Sequence, residues 1–141
     1  MLKTVTTLAA TALLAAAMPA FAQDAEEPRT TYRIVMLDLA DGKDARWNEM
    51  FETYAKPARA AAGLAPETVH WLMMNPDYDI MIVSEVPRGM ATFDSHANPE
   101  RERFMGEIQN IAGGEAAMAT LMEEYGSLIE KETVMWTHTH P

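Results

Sequence analysis

The stretch ETVHWLMMNPDYDIMIVSEV, residues 67–86, decides the fold. Its two halves, 67–74 and 78–86, are rich in β-branched and large apolar side chains, which favours strands. Between them, residues 75–77 read Asn-Pro-Asp, a typical turn sequence. Two strand patterns joined by so short a turn predict a β-hairpin.

Strand patterns also flank this hairpin. The segments 32–39, YRIVMLDL, and 133–140, TVMWTHTH, predict a strand before it and a strand after it. A helix over 44–63 is predicted between the first strand and the hairpin, because its apolar residues recur at intervals of three and four. Pro57 lies within that helix and is expected to kink it.

The connection between the hairpin and the last strand is helical but divided. A short helix is predicted over 90–96, and Asn98 followed by Pro99 is typical of a second helix start. Gly113 and Gly114 predict a break before a third stretch. That stretch carries an apolar stripe: Met118, Leu121, Met122, Tyr125, Leu128 and Ile129. The order β-α-β-β-α-β predicts an α+β, ferredoxin-like domain, with helices on one face of a four-stranded antiparallel sheet.

Both faces of the first and third predicted strands are apolar. Helices on one side can cover only one face, and a solvated face would alternate with polar residues. We therefore expect a homodimer that packs sheet against sheet, giving a dimeric α/β-barrel. The alternative is that the amino-terminal leader or long loops cover the second face.

The amino terminus has the pattern of a secretory signal peptide over 1–22. Lys3 precedes a short apolar run, and Ala20-Phe21-Ala22 gives the small-x-small pattern that signal peptidase accepts. A mobile leader, 23–30, and one domain, 31–141, would follow. We expect an exported protein, periplasmic or secreted, with no membrane segment after cleavage; the alternative is an anchor that stays attached.

Composition excludes several classes of function. The 141 residues include no cysteine, which rules out a disulfide scaffold, a thiolate metal site and a cysteine nucleophile. With 11 basic and 21 acidic residues, the formal net charge is −10. Nucleic acid is therefore not expected as a partner, because phosphate binding needs a basic face.

The segment after the third strand resembles the antibiotic-biosynthesis monooxygenase-type domains of the dimeric α/β-barrel superfamily. Glu85 ends the strand, Phe93 lies in the short helix, and His96, Pro99 and Phe104 follow. The resemblance implies homodimers with a pocket between sheet and helices. It also implies oxidation of phenolic compounds by molecular oxygen without a cofactor, although relatives bind haem.

Three residues are the candidates for catalysis. His96 could accept a phenolic proton, with Asp94 or Glu85 orienting its ring. The alternative is that His96 contacts carbonyl groups at a helix end. Five aromatic residues are the candidates for a pocket wall: Trp47, Trp71, Phe93, Phe104 and Trp136.

His138 and His140 are the candidates for a metal site, because they share one face of a strand and could bind copper or zinc. The alternative is a polar carboxyl terminus, since no third ligand is evident. Methionines suit Cu(I), but they also fill apolar cores. We expect no bound cofactor, with a metal or haem left open. The sequence predicts a small-molecule pocket protein, either a cofactor-independent monooxygenase or a non-catalytic binding protein.

Overall fold

A four-stranded antiparallel sheet forms the centre of the molecule. The computed structural model describes residues 29–140, so the predicted signal peptide and most of the predicted leader lie outside the described residues. The strands are β1 (Thr31–Leu39), β2 (Thr68–Trp71), β3 (Ile80–Glu85) and β4 (Ile129–His138). They are arranged in the order β2-β3-β1-β4, and every neighbouring pair is antiparallel.

The helices pack on one face of this sheet. They are α1 (Asp44–Met50), a π-helical segment (Phe51–Ala55), α2 (Lys56–Ala61), a 3₁₀ turn (Gly89–Phe93), α3 (Pro99–Ala112) and α4 (Glu115–Ser127). The element order and the one-sided helical layer confirm the predicted ferredoxin-like architecture. No helix in the described part of the chain has both the length and the apolar character needed to cross a bilayer.

The core lies between the sheet and the helices. Val35, Leu37 and Leu39 alternate along β1 and are buried against the helices. Ile80 and Ile82 do the same on β3, because residues directly opposite in an antiparallel pair share a face. Helical members of the same cluster are Trp47, Met50, Ala58, Ile108 and Leu121.

The predicted hairpin is confirmed, but its strands are shorter than predicted. β2 ends at Trp71 instead of 74, and β3 begins at Ile80 instead of 78. The side chain of Asn75 accepts hydrogen bonds from the backbone of the turn, and Met74 adopts a left-handed backbone conformation with φ +58°. Asp79 accepts a hydrogen bond from the Leu39 amide, which holds the turn against the end of β1.

Pro57 is accommodated without a break. The π-helical segment precedes it, and the Lys56 amide donates to the Phe51 carbonyl, one residue further back than in an α-helix. Since Pro57 has no amide hydrogen to donate, a wider turn just before it lets the helix continue to Ala61. The predicted helix 44–63 is therefore one continuous run with a wide turn inside it.

In the second connection, the predicted helix start at Asn98 and the predicted break at Gly113 and Gly114 are confirmed, but the predicted end of the last helix is not. The Asn98 side chain accepts from the Arg101 amide, and Gly113 and Gly114 both have positive φ, as a cap and a break require. The predicted apolar stripe through Leu128 and Ile129 is wrong at its end, because α4 stops at Ser127. Consequently β4 begins at Ile129 instead of 133, and it ends at His138 instead of 140.

The second face of the sheet is largely apolar, as predicted. Its centre is defined by Ile34 and Met36 on β1, Met81 and Val83 on β3, and Met135 on β4, which the strand register places side by side. None of the helices within residues 29–140 covers it. We call these five side chains the open sheet face.

Candidate functional site

A cavity of about 630 Å³ lies between the helix-covered face of the sheet and the helices. β1, β3 and β4 supply its floor. The first helical run, including the π-helical segment, and the later helices α3 and α4 supply its walls. This volume is within the range of small-molecule sites, about 300–1,000 Å³.

Aromatic rings make up much of the wall. Trp47 is 1% exposed and stacks on Phe51, with ring centroids 5.4 Å apart and planes 9° apart. Phe104 and Trp136 line the cavity as well. Trp47 itself therefore offers a ligand little surface, and the apolar rings that a ligand can reach are the half-buried Phe51 and Phe104 and the more exposed Trp136.

Three of the five predicted pocket residues line the cavity, namely Trp47, Phe104 and Trp136. The other two lie behind them. Trp71 meets the edge of Trp47 at 5.9 Å, and Phe93 meets Trp136 at 4.7 Å, each nearly perpendicular to its partner. Trp71 and Phe93 therefore support wall residues without lining the space themselves.

Glu67 brings a carboxylate to this largely apolar space. Its Oε1 accepts a hydrogen bond from Arg59 Nη1 at 3.0 Å and another from the Ser84 hydroxyl at 2.6 Å. Arg59 is itself held by two hydrogen bonds from Nε and Nη2 to the Ala65 carbonyl. The side chains of Arg59 and Glu67 are only 11% and 13% exposed. The three side chains form a charged anchor in the cavity wall.

Tyr125 on α4 faces the same cavity. Burial raises the pKa of its hydroxyl, and the indole N–H of Trp47 opposes that rise. Glu132 and Glu67 raise the pKa further, and Arg33 lowers it. The Trp47 N–H is buried and, among the described residues, makes no hydrogen bond of good geometry, so its effect on Tyr125 is one of proximity.

A bidentate ion pair between Arg46 and Glu124 joins α1 to α4. These two residues directly precede Trp47 and Tyr125 in the chain. Arg46 donates from Nε and Nη2 to the two carboxylate oxygens of Glu124, at 2.6 and 2.8 Å. The same pairing lowers the pKa of Glu124 and, with help from Glu49, raises the pKa of Arg46. Bidentate geometry of this kind fixes the relative position of two helices.

The three predicted catalytic residues are only partly brought together. Glu85 lines the cavity at the end of β3. His96 and Asp94 are exposed, in the loop between the 3₁₀ turn and α3, and are not among the lining residues. Their proposed roles stay predictions.

The two terminal histidines lie next to each other, with ring centroids 4.7 Å apart. Both are exposed, and Arg29 Nη1 lies 3.4 Å from His138 Nε2. Within residues 29–140, no group of three His, Cys, Asp or Glu side chains is placed to hold a metal ion. Two adjacent imidazoles alone make an incomplete tetrahedral site.

Sequence reasoning missed the polar side of the cavity: Arg59, Glu67, Ser84 and Tyr125. One signal was available for Glu67. Side chains two residues apart share a strand face, so Val69 and Trp71 place Glu67 on the helix-covered side. A carboxylate on a covered face is unusual and suggests a specific partner.

Comparison with known proteins bears on the fold. No protein-family model matches the sequence, and no curated protein matches it. Among solved structures, it is similar to a NipSnap family protein with unknown function from Agrobacterium tumefaciens, with a TM-score of 0.55. The two share 14% identity over 79% of this chain and 88% of that one.

A second similar structure is a dimeric ferredoxin-like protein from an uncultured marine organism. Its TM-score is 0.51, at 15% identity over 81% of this chain and 90% of that one. The fold is ferredoxin-like. Identities this low carry the fold and no activity.

Proposed function

We propose that this protein is an exported binding protein for a small aromatic molecule, which it holds in the cavity between sheet and helices. The observation that carries the proposal is a 630 Å³ space whose wall combines stacked rings with a few fixed polar groups. Apolar walls with a small number of placed polar groups are characteristic of small-molecule sites.

Calorimetric titration with 1-naphthol tests the cavity directly. Met105 lines it from α3, so Met105→Trp fills part of the space and should weaken binding by about tenfold or more. Met90→Trp is the matched control, because Met90 is exposed and outside the lining. Equal affinity in both variants, or no binding by the unaltered protein, would contradict the proposal.

A catalytic form of this proposal is cofactor-independent oxygenation of a phenol. In that reaction a naphthol and one O₂ give a naphthoquinone and one water. Glu67 supports it as a carboxylate within an apolar cavity that could accept the phenolic proton; His96 remains the base predicted from sequence. Oxygen uptake with a panel of phenols would favour catalysis, and stoichiometric binding without uptake would favour a binding protein. Loss of uptake in Glu67→Gln but not His96→Ala would identify the base.

We also propose a homodimer that pairs two open sheet faces. Apolar side chains that no helix of the described segment, 29–140, covers support this arrangement, as does the dimeric state of the similar marine protein. Ile34→Asp should give a monomer by light scattering, because it places a charge at the centre of the face. Ile111→Asp, on α3 and partly exposed, is the matched control and should leave the dimer intact. A monomeric unaltered protein at micromolar concentration would overturn this arrangement.

Export and metal binding have their own tests. Cleavage after Ala22 predicts a mature protein that begins at Gln23, which amino-terminal sequencing of the exported fraction would detect. A metal bound by the terminal pair remains the alternative ligand. Metal content that is unchanged after replacing both His138 and His140 would dismiss that alternative.

A further inference from the structure

We infer that Glu67 and Tyr125 together select a hydroxylated aromatic ligand, whose hydroxyl donates to Glu67 and whose second oxygen accepts from Tyr125. The inference rests on the proposed function, because it names the chemistry that the same cavity recognises. Aromatic walls accept many flat molecules, so discrimination among them depends on the few polar groups present.

Glu67 is held as an acceptor with one oxygen to spare. Both of its hydrogen bonds, from Arg59 and Ser84, end on Oε1. No residue in the described part of the chain donates a hydrogen bond to Oε2, and this oxygen is not fully buried. A carboxylate oxygen only accepts, so the complementary ligand group is a hydroxyl or another donor.

Tyr125 is held as a donor. The Trp47 N–H approaches this hydroxyl without the geometry of a hydrogen bond, no other side chain within residues 29–140 bonds it, and its oxygen is not fully buried. Burial favours its neutral form, so the proton stays on the oxygen at neutral pH. The buried Trp47 N–H beside it adds positive potential on the side of the hydroxyl oxygen, which leaves the O–H free to point at a ligand acceptor.

The charges around the cavity argue against an aromatic acid as the ligand. Arg59 is committed to Glu67 and Ala65. Arg33 lies 3.9 Å from Glu132, so its charge is already matched. Arg101 also lines the cavity, but it is exposed to solvent, and the four lining carboxylates outnumber the three lining guanidinium groups. A ligand carboxylate beside Glu67 would place two like charges in a space of low dielectric, which is unfavourable.

Four naphthalenes test this selection by calorimetry at pH 7 on the full mature chain. 4-Methoxy-1-naphthol offers both a hydroxyl and a second oxygen, 1-naphthol lacks the second oxygen, and 1,4-dimethoxynaphthalene lacks the donor. The fourth, 1-naphthoate, carries the disfavoured charge. We expect 4-methoxy-1-naphthol to bind about tenfold or more tightly than the dimethoxy compound, the range typical of a hydrogen bond to a charged group.

Two substitutions then assign the selectivity to residues. Glu67→Gln should reduce the preference over 1,4-dimethoxynaphthalene several-fold, because the amide oxygen is a neutral and weaker acceptor. Tyr125→Phe should abolish the preference over 1-naphthol. The matched controls are Glu123→Gln, exposed on α4, and Tyr78→Phe, whose hydroxyl bonds Thr133 away from the cavity. Both controls should keep the full preferences, and circular dichroism checks that each variant is folded.

The outcomes separate this inference from the proposed function. If all four compounds bind equally, or 1-naphthoate binds best, the selection is wrong while the aromatic cavity stands. If none binds, both fail. The comparison of ligands on the unaltered protein decides the question even where a variant does not fold.

Discussion

Arg59→Met removes the cation of the charged anchor and should cost about 3 kcal/mol in the free energy of unfolding. The guanidinium donates three hydrogen bonds, one to Glu67 and two to the Ala65 carbonyl. Because the side chains of Arg59 and Glu67 are 11% and 13% exposed, the substitution would leave the Glu67 carboxylate with neither its cationic partner nor much water to solvate it. Breaking a buried pair typically costs about 3–5 kcal/mol, and the remaining exposure places this one at the lower end.

The double variant Arg59→Met with Glu67→Gln tests the reasoning further. Removing the stranded charge as well should recover about 1–2 kcal/mol of the loss, since a neutral polar group costs less to bury than a carboxylate. The control is Lys56→Met, which breaks an exposed i,i+4 pair with Glu52 and should cost below about 0.5 kcal/mol.

Urea denaturation followed by circular dichroism at one fixed protein concentration measures all three variants. The fixed concentration matters because association changes the apparent stability. If the single variant is within about 0.5 kcal/mol of the unaltered protein, the view that little water reaches this pair is wrong. If the double variant is no more stable than Arg59→Met alone, the unpaired Glu67 carboxylate is not the cause of the lost stability.

Three further predictions concern pH and the backbone. Because burial raises the pKa of Tyr125, its contribution to stability is present below the ordinary tyrosine value of 10.0 and is lost as pH rises through the higher folded value. Tyr125→Phe should therefore lose less melting temperature than the unaltered protein when thermal melts are repeated at increasing alkaline pH. Because Arg46 lowers the pKa of Glu124, its contribution to stability is present above the ordinary value of 4.5 and is lost as pH falls through the folded value. Thermal melts at decreasing acid pH should show a smaller loss of melting temperature for Glu124→Gln than for the unaltered protein. Gly114→Ala should destabilise the protein by about 1–3 kcal/mol because φ is +118°. Gly106→Ala, in helix α3 with open space around it, should stabilise it by about 0.5–1 kcal/mol. Urea titrations in which both variants change the free energy of unfolding in the same direction would contradict this.

The sequence patterns that predicted the fold correctly were local ones. The hairpin, the cap at Asn98 and the break at Gly113 and Gly114 each depend on a few neighbouring residues whose backbone preferences are strong. The start of β4 was missed because residues 130–132 read Glu-Lys-Glu, which looks like the solvated end of a helix. In the structure these charges lie on an edge strand, where polar side chains are common and pairing to β1 decides the conformation.

The candidate site was predicted only on its apolar side. Trp47 and Phe104 belong to apolar stripes of helices, and burial of such stripes follows from periodicity. The polar side joins Arg59 at the end of α2, Glu67 before β2 and Ser84 on β3, and no local pattern connects these three. Tyr125 belonged to an apolar stripe, so its role as a polar group depended on knowing that a cavity lies beside it.

The wide turn at Phe51–Ala55 makes the helix before Arg59 tolerant of a one-residue loss at that one place. It fits one more residue into the helix than an α-helical turn would, and Arg59 lies downstream of it. A chain one residue shorter between Met50 and Lys56 could therefore form an uninterrupted α-helix in which the residues after the deletion keep nearly the same direction around the helix axis. Arg59 would still face Glu67. Deleting Ala58 from the α-helical turn just before Arg59 would instead rotate Arg59 by about 100° and dismantle the anchor.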